Sequence, residues 1–179
     1  AVHAIAIGAC VASLQCRHSQ EVSEKELSRT DGLHGFFWLR REDQISWKII
    51  RTLISESNFD SFHIHLATDP GSPQPELPSE EDIRSFNITT STWFKDKSDL
   101  YDVLERANVF FCSRMEEGIG QSFLEALSRG QCVVAPNHGT MNEYILHGIN
   151  GLLFDSSDPA PLCFGRVKIM GHAARESVA

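Results

Sequence analysis

Two short apolar segments in the second half of the chain flank a stretch with helical periodicity. Residues 108–112 (NVFFC) and 132–136 (CVVAP) have the length and composition of strands that are buried on both faces of a sheet. Between them, apolar residues recur at helical spacing over residues 121–128, and Gly130 stands where the left-handed end of a helix favours glycine. The order strand, glycine turn, helix, glycine, strand predicts a βαβ unit.

The rest of the pattern also alternates between strand and helix. It predicts, in chain order, a strand at 35–39, a helix at 45–57, a strand at 61–67, a mobile polar loop at 71–82, a strand within 86–96, a helix at 97–107 with Ser98 as its N-cap, and a helix that opens at 140–142. This alternation is typical of an α/β fold. We therefore expect a Rossmann-like parallel sheet with helices on both faces.

The turn between the two apolar segments, at residues 117–120, has the features of an anion site. In a βαβ unit the ligand lies beyond the carboxyl end of the strand, where the first helical turn leaves backbone N–H groups without internal partners. Gly118 and Gly120 have no Cβ, so a phosphate can approach this backbone and meet the positive end of the helix dipole. The pattern predicts phosphate binding here.

Two acids, Glu117 and Glu125, accompany the glycines of this turn. A carboxylate that accepts two hydrogen bonds suits a vicinal diol, which assigns Glu125 to a ribose. Glu117 is then left for the group beyond the phosphates. Two glutamates at this separation also fit a solvated helix face, and only their combination with the glycines and the strands favours the ligand.

The segment from residue 116 to residue 155 adds further motifs in a fixed order. They are Glu117 and Glu125, Arg129-Gly130, Val133-Val134, Glu143, and Asn150-Gly151-Leu152-Leu153. Together they resemble the nucleotide-sugar site of the family 4 (group 1) retaining glycosyltransferases, which have the GT-B fold. The run 141–145 also resembles a branch of that family found in capsule and surface-polysaccharide clusters. The resemblance implies that this chain is the C-terminal, donor-binding half of a GT-B fold.

The resemblance also implies a role for each matching residue. Glu117 corresponds to the catalytic acid that contacts the donor sugar and stabilises its cationic transition state. The nucleotide-sugar-binding residues that it implies, or that lie at the same edge, are Gly118, Ile119, Gly120, Gln121, Glu125, Arg40, Arg41, Lys48, Trp93 and Thr140. Of these, the 118–120 backbone would bind the diphosphate and Glu125 the ribose.

Three of these assignments leave alternatives open. The family uses an Arg and a Lys after the first strand of this domain to neutralise the diphosphate. Arg40 or Arg41 and Lys48 are the candidates, but the usual Gly-Arg and Lys-Gly steps are missing, and surface cations flanking a strand fit equally well. Trp93 lies in a loop that borders the nucleobase in the resembling enzymes, although an aromatic residue at a strand end more often belongs to the core.

A further arginine, Arg114, directly follows its strand and is placed to face the phosphates.

The expected activity is transfer of a sugar, with retention, from a nucleotide-diphosphate donor to a sugar or lipid-linked acceptor in polysaccharide or glycoconjugate synthesis. We expect no metal cofactor, because the helix N-terminus and cations serve the diphosphate and no DxD-type motif stands out. Residues 1–30 are interpreted as a remnant or linker and 31–179 as the nucleotide-sugar-binding domain, with an N-terminal acceptor domain missing.

Two alternative functions stay open, a non-catalytic GT-B-like binding module and a nucleotide-sugar epimerase. A dinucleotide-dependent oxidoreductase is disfavoured, since no G-x-G-x-x-G follows a strand.

Charge, hydropathy and cysteine content limit the kinds of partner and the cellular location that we expect for this protein. The net charge of −8 argues against nucleic acid or an anionic membrane surface as the main partner. No apolar run approaches the ~18 residues of a membrane span. The five cysteines have no metal-type spacing, which favours a reduced, cytoplasmic protein, peripheral at most to the inner face of the membrane in the full-length enzyme. His63 and His65 share one face of their strand, and we expect a hydrogen-bonded or half-exposed pair rather than a metal site.

Overall fold

A computed structural model describes residues 32–40, 44–68, 71, 74–116 and 120–178. Within these residues the strands are β1 (His34–Trp38), β2 (Ser61–His65), β3 (Ile88–Ser91), β4 (Val109–Phe111), β5 (Cys132–Pro136) and β6 (Gly151–Phe154). The helices are α1 (Trp47–Leu53), α2 (Glu80–Ser85), α3 (Lys97–Arg106), α4 (Gln121–Ser128), α5 (Met141–Tyr144) and α6 (Val167–Ser177). The strands form one sheet in the order β3-β2-β1-β4-β5-β6, and every neighbouring pair is parallel. The predicted α/β class is confirmed.

The strand order has one reversal, between β1 and β4. Strands are added in one direction from β1 to β3 and in the other direction from β4 to β6, which is the 3-2-1-4-5-6 order of doubly wound sheets. Gly35 pairs with Val109 and Phe37 with Phe111, so the two central strands end side by side. Ligands of open α/β sheets bind in the crevice outside the carboxyl ends of the strands at such a reversal. This edge of the sheet is therefore where a site is expected.

Helices cover both faces of the sheet, and two apolar layers separate them from the strands. Alternating strand residues point to opposite faces, so Phe37 belongs to one layer and Phe36 to the other. The Phe37 layer contains the buried side chains of α1, and the Phe36 layer contains those of α3 and α4. Burying one such phenylalanine contributes about 1.5–3 kcal/mol, so these layers are the main source of stability.

The βαβ unit lies where the hydrophobic pattern predicts it. The structure has β4, α4 and β5 within or at the bounds predicted for the two strands and the helix between them. Gly130 has a φ of +77° at the end of α4, the left-handed conformation expected there. Its N–H donates to the carbonyl of Leu127 at 2.9 Å, which closes the last turn of the helix.

Helix ends differ from the prediction, because caps decide them. The helix predicted at 45–57 begins only at Trp47, where Ser46 is the N-cap and its Oγ accepts from the N–H of Ile49, and it ends at Leu53. Ser98 is not an N-cap, because α3 already begins at Lys97 after Asp96. Periodicity reports which face of a helix is buried and says less about its ends.

The loop predicted at 71–82 ends in a short helix. Ser79 caps α2 by accepting from the N–H of Asp82 at 3.1 Å, and the first turn is acidic, as the helix dipole favours. Asp82 also accepts from Nε1 of Trp47 at 3.0 Å and from Nε of Arg51 at 2.7 Å. Desolvation raises the pKa of Asp82, but these bonds to α1 together outweigh it and lower the pKa. They also attach α2 to the domain.

The three cysteines that the structure describes divide into two groups. Cys112 and Cys132 are free and buried, and burial raises the pKa of Cys132 to about 12, so it behaves as a small apolar residue. Cys163 is disulfide-bonded, so the prediction that all cysteines are reduced is wrong for it, because spacing along a chain does not reveal which cysteines meet in space. Among the described residues, no helix combines the length and apolar character that crossing a membrane requires. The predicted remnant at 1–30 lies outside the described residues.

Candidate functional site

A pocket opens at the reversal of the sheet. Its volume is about 430 Å³, and it is lined by Gln44, Arg114, Met115 and Glu116. Gln44 follows β1 and the other three residues follow β4, so the pocket lies at the carboxyl ends of the two central strands. The N–H of Met115 donates to Oε1 of Gln44 at 3.2 Å, which joins the two loops. The pocket and the strand order therefore locate the site at the same place.

Charged groups of both signs border this pocket. Arg114 lines it, as its position directly after a strand predicted. Glu116 also lines it, and its carboxylate lies 3.4 Å from Nδ1 of His138 in the loop that follows β5. Both side chains of this pair are more than half exposed, so the pair contributes little stability. The site thus offers a guanidinium for an anion and a carboxylate for a hydroxyl or a cation.

Of the glycine turn at residues 117–120, the structure describes only Gly120. Glu117, Gly118 and Ile119, which are predicted to contact the sugar and the diphosphate, lie outside the described residues. Gly120 is buried and is the N-cap of α4, with Gln121 as the first helical residue. Gly120 has no side chain to accept from the first-turn N–H groups, so these donors face the same edge as the pocket without a side-chain cap.

Glu125 lies on α4 with an accessible carboxylate. Its side chain is 53% exposed, and Oε2 lies 3.5 Å from Nη2 of Arg129, one turn further along the helix. Arg129 and Lys97 of α3 both place their cationic groups 5.2 Å from the ring centre of Tyr101. A hydrogen bond to Tyr101, the largest cause, and the nearby Glu125 raise the pKa of Lys97. Glu125 is therefore close to the start of α3 and retains oxygen lone pairs for a diol.

The cations predicted after β1 are only partly described. Arg41 lies outside the described residues. The guanidinium of Arg40 lies over the ring of Trp38, 4.9 Å from its centre, at the carboxyl end of β1. Lys48 is exposed in the first turn of α1. Thr140 is the N-cap of α5, at the end of the loop that follows β5.

Trp93 is a surface residue. It is 61% exposed, so the interpretation as a core residue at a strand end is wrong. β3 is an edge strand of the described sheet, so no strand lies beside it on the outer side. The ring is nearly perpendicular to those of Trp38 and His65, at 81° and 82°, with centroid distances of 6.1 and 6.3 Å. The structure therefore places an accessible indole at the same edge of the sheet as the pocket.

The two histidines of β2 form the hydrogen-bonded pair that was predicted. Nδ1 of His63 lies 2.8 Å from Oγ1 of Thr89, and Ser91 Oγ lies 2.8 Å from both Nε2 of His63 and Nδ1 of His65. Burial is the main cause that lowers both pKa values, to about 4 for His65. In the part of the chain that the structure describes, no three His, Cys, Asp or Glu side chains are grouped to hold a metal ion.

Sequence reasoning missed the lining residues Gln44, Met115 and Glu116 and the pairing with His138. Met115 and Gln44 are 71 positions apart, and their contact depends on β1 and β4 being neighbours. The only available signal was that each residue follows a predicted strand within a few positions. That signal identifies an edge of the sheet but not which loops meet there.

Comparisons with known proteins agree with this fold. Residues 81–162, somewhat less than half of the chain, match the model of a family described as glycosyl transferases group 1. No curated protein sequence matches the chain significantly.

Three solved structures illustrate the structural likeness. One is the C-terminal domain of a glycosyl transferase group 1 family protein (LpcC) from Francisella tularensis, with 14% identity, a TM-score of 0.57, and coverage of 81% of this chain and 83% of that one. The catalytic domain of cholesterol-alpha-glucosyltransferase from Helicobacter pylori has 13% identity, a TM-score of 0.56 and coverage of 83% and 98%. HepE of Anabaena, in complex with UDP and glucose, has 15% identity, a TM-score of 0.60 and coverage of 88% and 48%.

At these identities the likeness concerns the fold, and this chain spans about half the length of the HepE chain. The part of the chain that matches the family model contains both predicted glutamates, the glycine turn, Arg114 and Trp93. Residues 81–162 thus carry the sequence pattern of the glycosyl transferases group 1 family, on a domain with the fold of a glycosyltransferase C-terminal domain.

Proposed function

We propose that this domain binds a nucleoside-diphosphate sugar at the carboxyl edge of its sheet and that, together with an N-terminal acceptor domain, it transfers the sugar with retention. The observation that carries this proposal is the pocket at the reversal between β1 and β4. It lies immediately before the glycine turn, and Arg114 and Glu116 line it. HepE, which shares the fold, has been solved with UDP and with UDP-glucose, and this supports a nucleotide sugar as the donor class.

The donor would be held along this edge by groups of different chemistry. Arg114 and the first-turn N–H groups of α4 would neutralise the diphosphate, with Gln121 at the helix start. Glu125 would accept hydrogen bonds from the ribose hydroxyls, and Trp93 would stack on the base. Among the remaining residues at this edge, Arg40, Arg41, Lys48 and Thr140 are the candidates for further contacts to the donor.

The chemical step follows from where charge develops. The bond between the anomeric carbon and the β-phosphate oxygen breaks, and the bonding electrons leave with the nucleoside diphosphate. An acceptor hydroxyl forms the new bond on the same face of the sugar and gives its proton to the departing β-phosphate oxygen. Donors already aimed at the β-phosphate lower the barrier, because they do not have to reorganise as its negative charge grows. The carboxylate of Glu117 would stabilise the positive charge on the sugar. In this scheme cationic side chains and backbone amides neutralise the diphosphate, as a metal ion does in metal-dependent sugar transferases.

The biological setting that we propose is polysaccharide or glycoconjugate synthesis, with a sugar or a lipid-linked acceptor, at the cytoplasmic side of a membrane. The resemblance of residues 141–145 to the capsule and surface-polysaccharide branch supports this setting.

The first test is calorimetric titration with UDP, GDP and their common sugar conjugates, on the wild-type chain and on Glu125→Ala. We expect one nucleotide family to bind, and the substitution to weaken binding by about 1.5–3 kcal/mol, the scale of a hydrogen bond to a charged group. Glu105→Ala is the matched control, because Glu105 is an exposed glutamate in the last turn of α3. Failure of every nucleotide to bind, or equal binding by Glu125→Ala and wild type, would contradict the proposed donor site.

A further inference from the structure

Four aromatic rings gather at the carboxyl ends of β1, β2 and β3. They belong to Trp38, His65, Trp93 and Phe94, and His65 contacts the other three. The centroid of the His65 ring lies 4.9 Å from that of Phe94, 5.2 Å from that of Trp38 and 6.3 Å from that of Trp93. The arrangement has an exposed member, Trp93, and a central member, His65, that is only 2% exposed.

The position of His65 is determined from several sides. Its Nδ1 lies 2.8 Å from Oγ of Ser91, the last residue of β3. Its ring is parallel to that of Phe94, with an angle of 3° between the planes. Its backbone carbonyl accepts from the N–H of Leu39 at 3.0 Å, which attaches it to the chain after β1. His65 therefore contacts the segment that carries Trp93 at two points, Ser91 before Trp93 and Phe94 after it.

These contacts also limit the orientation of the Trp93 ring. The ring stands at 82° to His65 and at 81° to Trp38, which are edge-to-face geometries that aromatic pairs prefer. Trp93 is 61% exposed, so much of its indole stays accessible beside these two contacts. A ring held in this way loses little conformational freedom when a planar group stacks on it, which favours binding.

We propose that His65 is a positioning residue that holds Trp93 as a preformed stacking surface for the planar base of the ligand, without touching the ligand itself. This inference rests on the proposed nucleotide binding at the same edge of the sheet. The neutral imidazole is the form that stacks against Phe94, and burial keeps the pKa of His65 at about 4, so the ring is uncharged at neutral pH. The charged or titratable groups around it are His63 on the same strand, Arg40 over Trp38, and Arg106 of α3 near His63.

The first arm of the test needs no nucleotide. The chain is labelled with 5-fluorotryptophan, and its fluorine NMR signals are assigned by single Trp→Phe substitutions. In His65→Ala we expect the Trp93 signal to move and to narrow as the indole gains freedom, while the signal of the buried Trp47 stays in place and shows that the fold is intact. His63→Ala is the matched control, because His63 also bonds to Ser91 but its ring stacks on Phe36 instead.

Two further variants separate the stacking of His65 from its hydrogen bond. His65→Phe keeps a ring against Phe94 and loses the bond to Ser91, whereas His65→Asn keeps a polar group and loses the ring. We expect the Trp93 signal to stay close to its wild-type position in His65→Phe and to move in His65→Asn. An unchanged Trp93 signal in both His65→Ala and His65→Asn would overturn the proposal.

The second arm measures affinity for the nucleotide that wild type binds. Trp93→Ala should weaken binding about 10- to 100-fold if the base stacks on the indole, and His65→Ala about 3- to 10-fold. The double variant should bind no more weakly than Trp93→Ala alone, because a positioning residue has no effect once its target is gone. Additive losses would overturn the positioning role. If no nucleotide binds to wild type, the proposed function fails, and the NMR arm still decides whether His65 holds Trp93.

Discussion

At the scale of single residues, burial decides which charges the carboxyl edge can carry. Glu125 is more than half exposed and keeps a carboxylate that is free to bind a polar group, although Arg129 lies nearby. His63 and His65 are held by hydroxyl groups on β3, and desolvation favours their neutral forms. The same edge thus combines ionised groups around the pocket with neutral, stacked rings beside it.

The neutral histidines make stability depend on pH. Their pKa values are lowered from 6.5, to about 4 for His65, so below pH 6.5 the unfolded chain takes up protons that the native chain does not yet bind. The free energy of unfolding should therefore fall as the pH drops from 6.5 towards 4. Urea denaturation at pH 7 and pH 5 measures this, and His65→Phe should lose less stability over that interval than wild type.

Other titrating groups do not remove the expected difference in stability loss between wild type and His65→Phe. His147, whose pKa is also lowered mainly by burial, affects wild type and His65→Phe alike. Desolvation raises the pKa of Asp82, but its hydrogen bonds outweigh this and lower the pKa, and Asp82 is present in both chains, so it does not distinguish them. Equal losses in wild type and His65→Phe would show that His65 is not a neutral group stabilised by the fold.

At the scale of elements, a contact between two glycines sets how closely α4 and α6 approach. Gly171 lies in α6 against Gly130, the residue that closes α4 with its left-handed φ. A Cβ on Gly171 would overlap the carbonyl oxygen of Gly130, and this atom belongs to the backbone, which cannot move aside as a flexible side chain can. The position of α4, and with it of Gly120 and Glu125, therefore depends on a small residue in α6.

Gly171→Ala should destabilise the domain, although alanine is the better helix former. Replacing glycine by alanine inside a helix normally gains up to about 1 kcal/mol, but the overlap should outweigh this and leave a net loss of about 1–3 kcal/mol. The free energy of unfolding in urea measures the difference. Gly165→Ala is the control, because its nearest neighbour, Sγ of Cys163, would lie at an ordinary 3.9 Å. A gain in stability for Gly171→Ala would show that the two helices can move apart at no cost.

At the scale of the whole molecule, the net charge of −8 opposes anion binding, so the proposed donor site would depend on local hydrogen-bond donors and cations. These donors are Arg114 and the first turn of α4, at one edge of the sheet. The chain spans 48% of the length of the HepE chain, and our proposal assigns acceptor binding to a further, N-terminal domain.

We therefore expect the isolated chain to bind donor weakly and to turn it over little. A transition state for sugar transfer needs the acceptor hydroxyl in place as well as the donor. The measurement is NMR of the donor and of the products over time, with and without sugar acceptors. Robust transfer by the isolated chain would contradict this expectation, and conversion of the donor sugar into its epimer would favour the epimerase alternative.

Elements with a clear local periodicity were predicted better than the ends of helices and the exposure of single side chains. The β4, α4 and β5 elements were predicted well, because each is specified by apolar residues at its own local period. The late start of α1 and the start of α2 were missed, because the serine caps Ser46 and Ser79 decided them. Trp93 was predicted to stack on the base, but a core position stayed open as the alternative, since the sequence does not say that β3 lies at an edge.

The sequence by itself determined the α/β class, the βαβ unit and the residue types around its glycine turn, because these depend on spacing along the chain. Only the tertiary structure decided the order of the strands, the contact of Gln44 with Met115 and the gathering of three aromatic rings around His65. Such contacts join residues far apart in sequence, and they form only when the apolar faces of all the strands and helices are buried together.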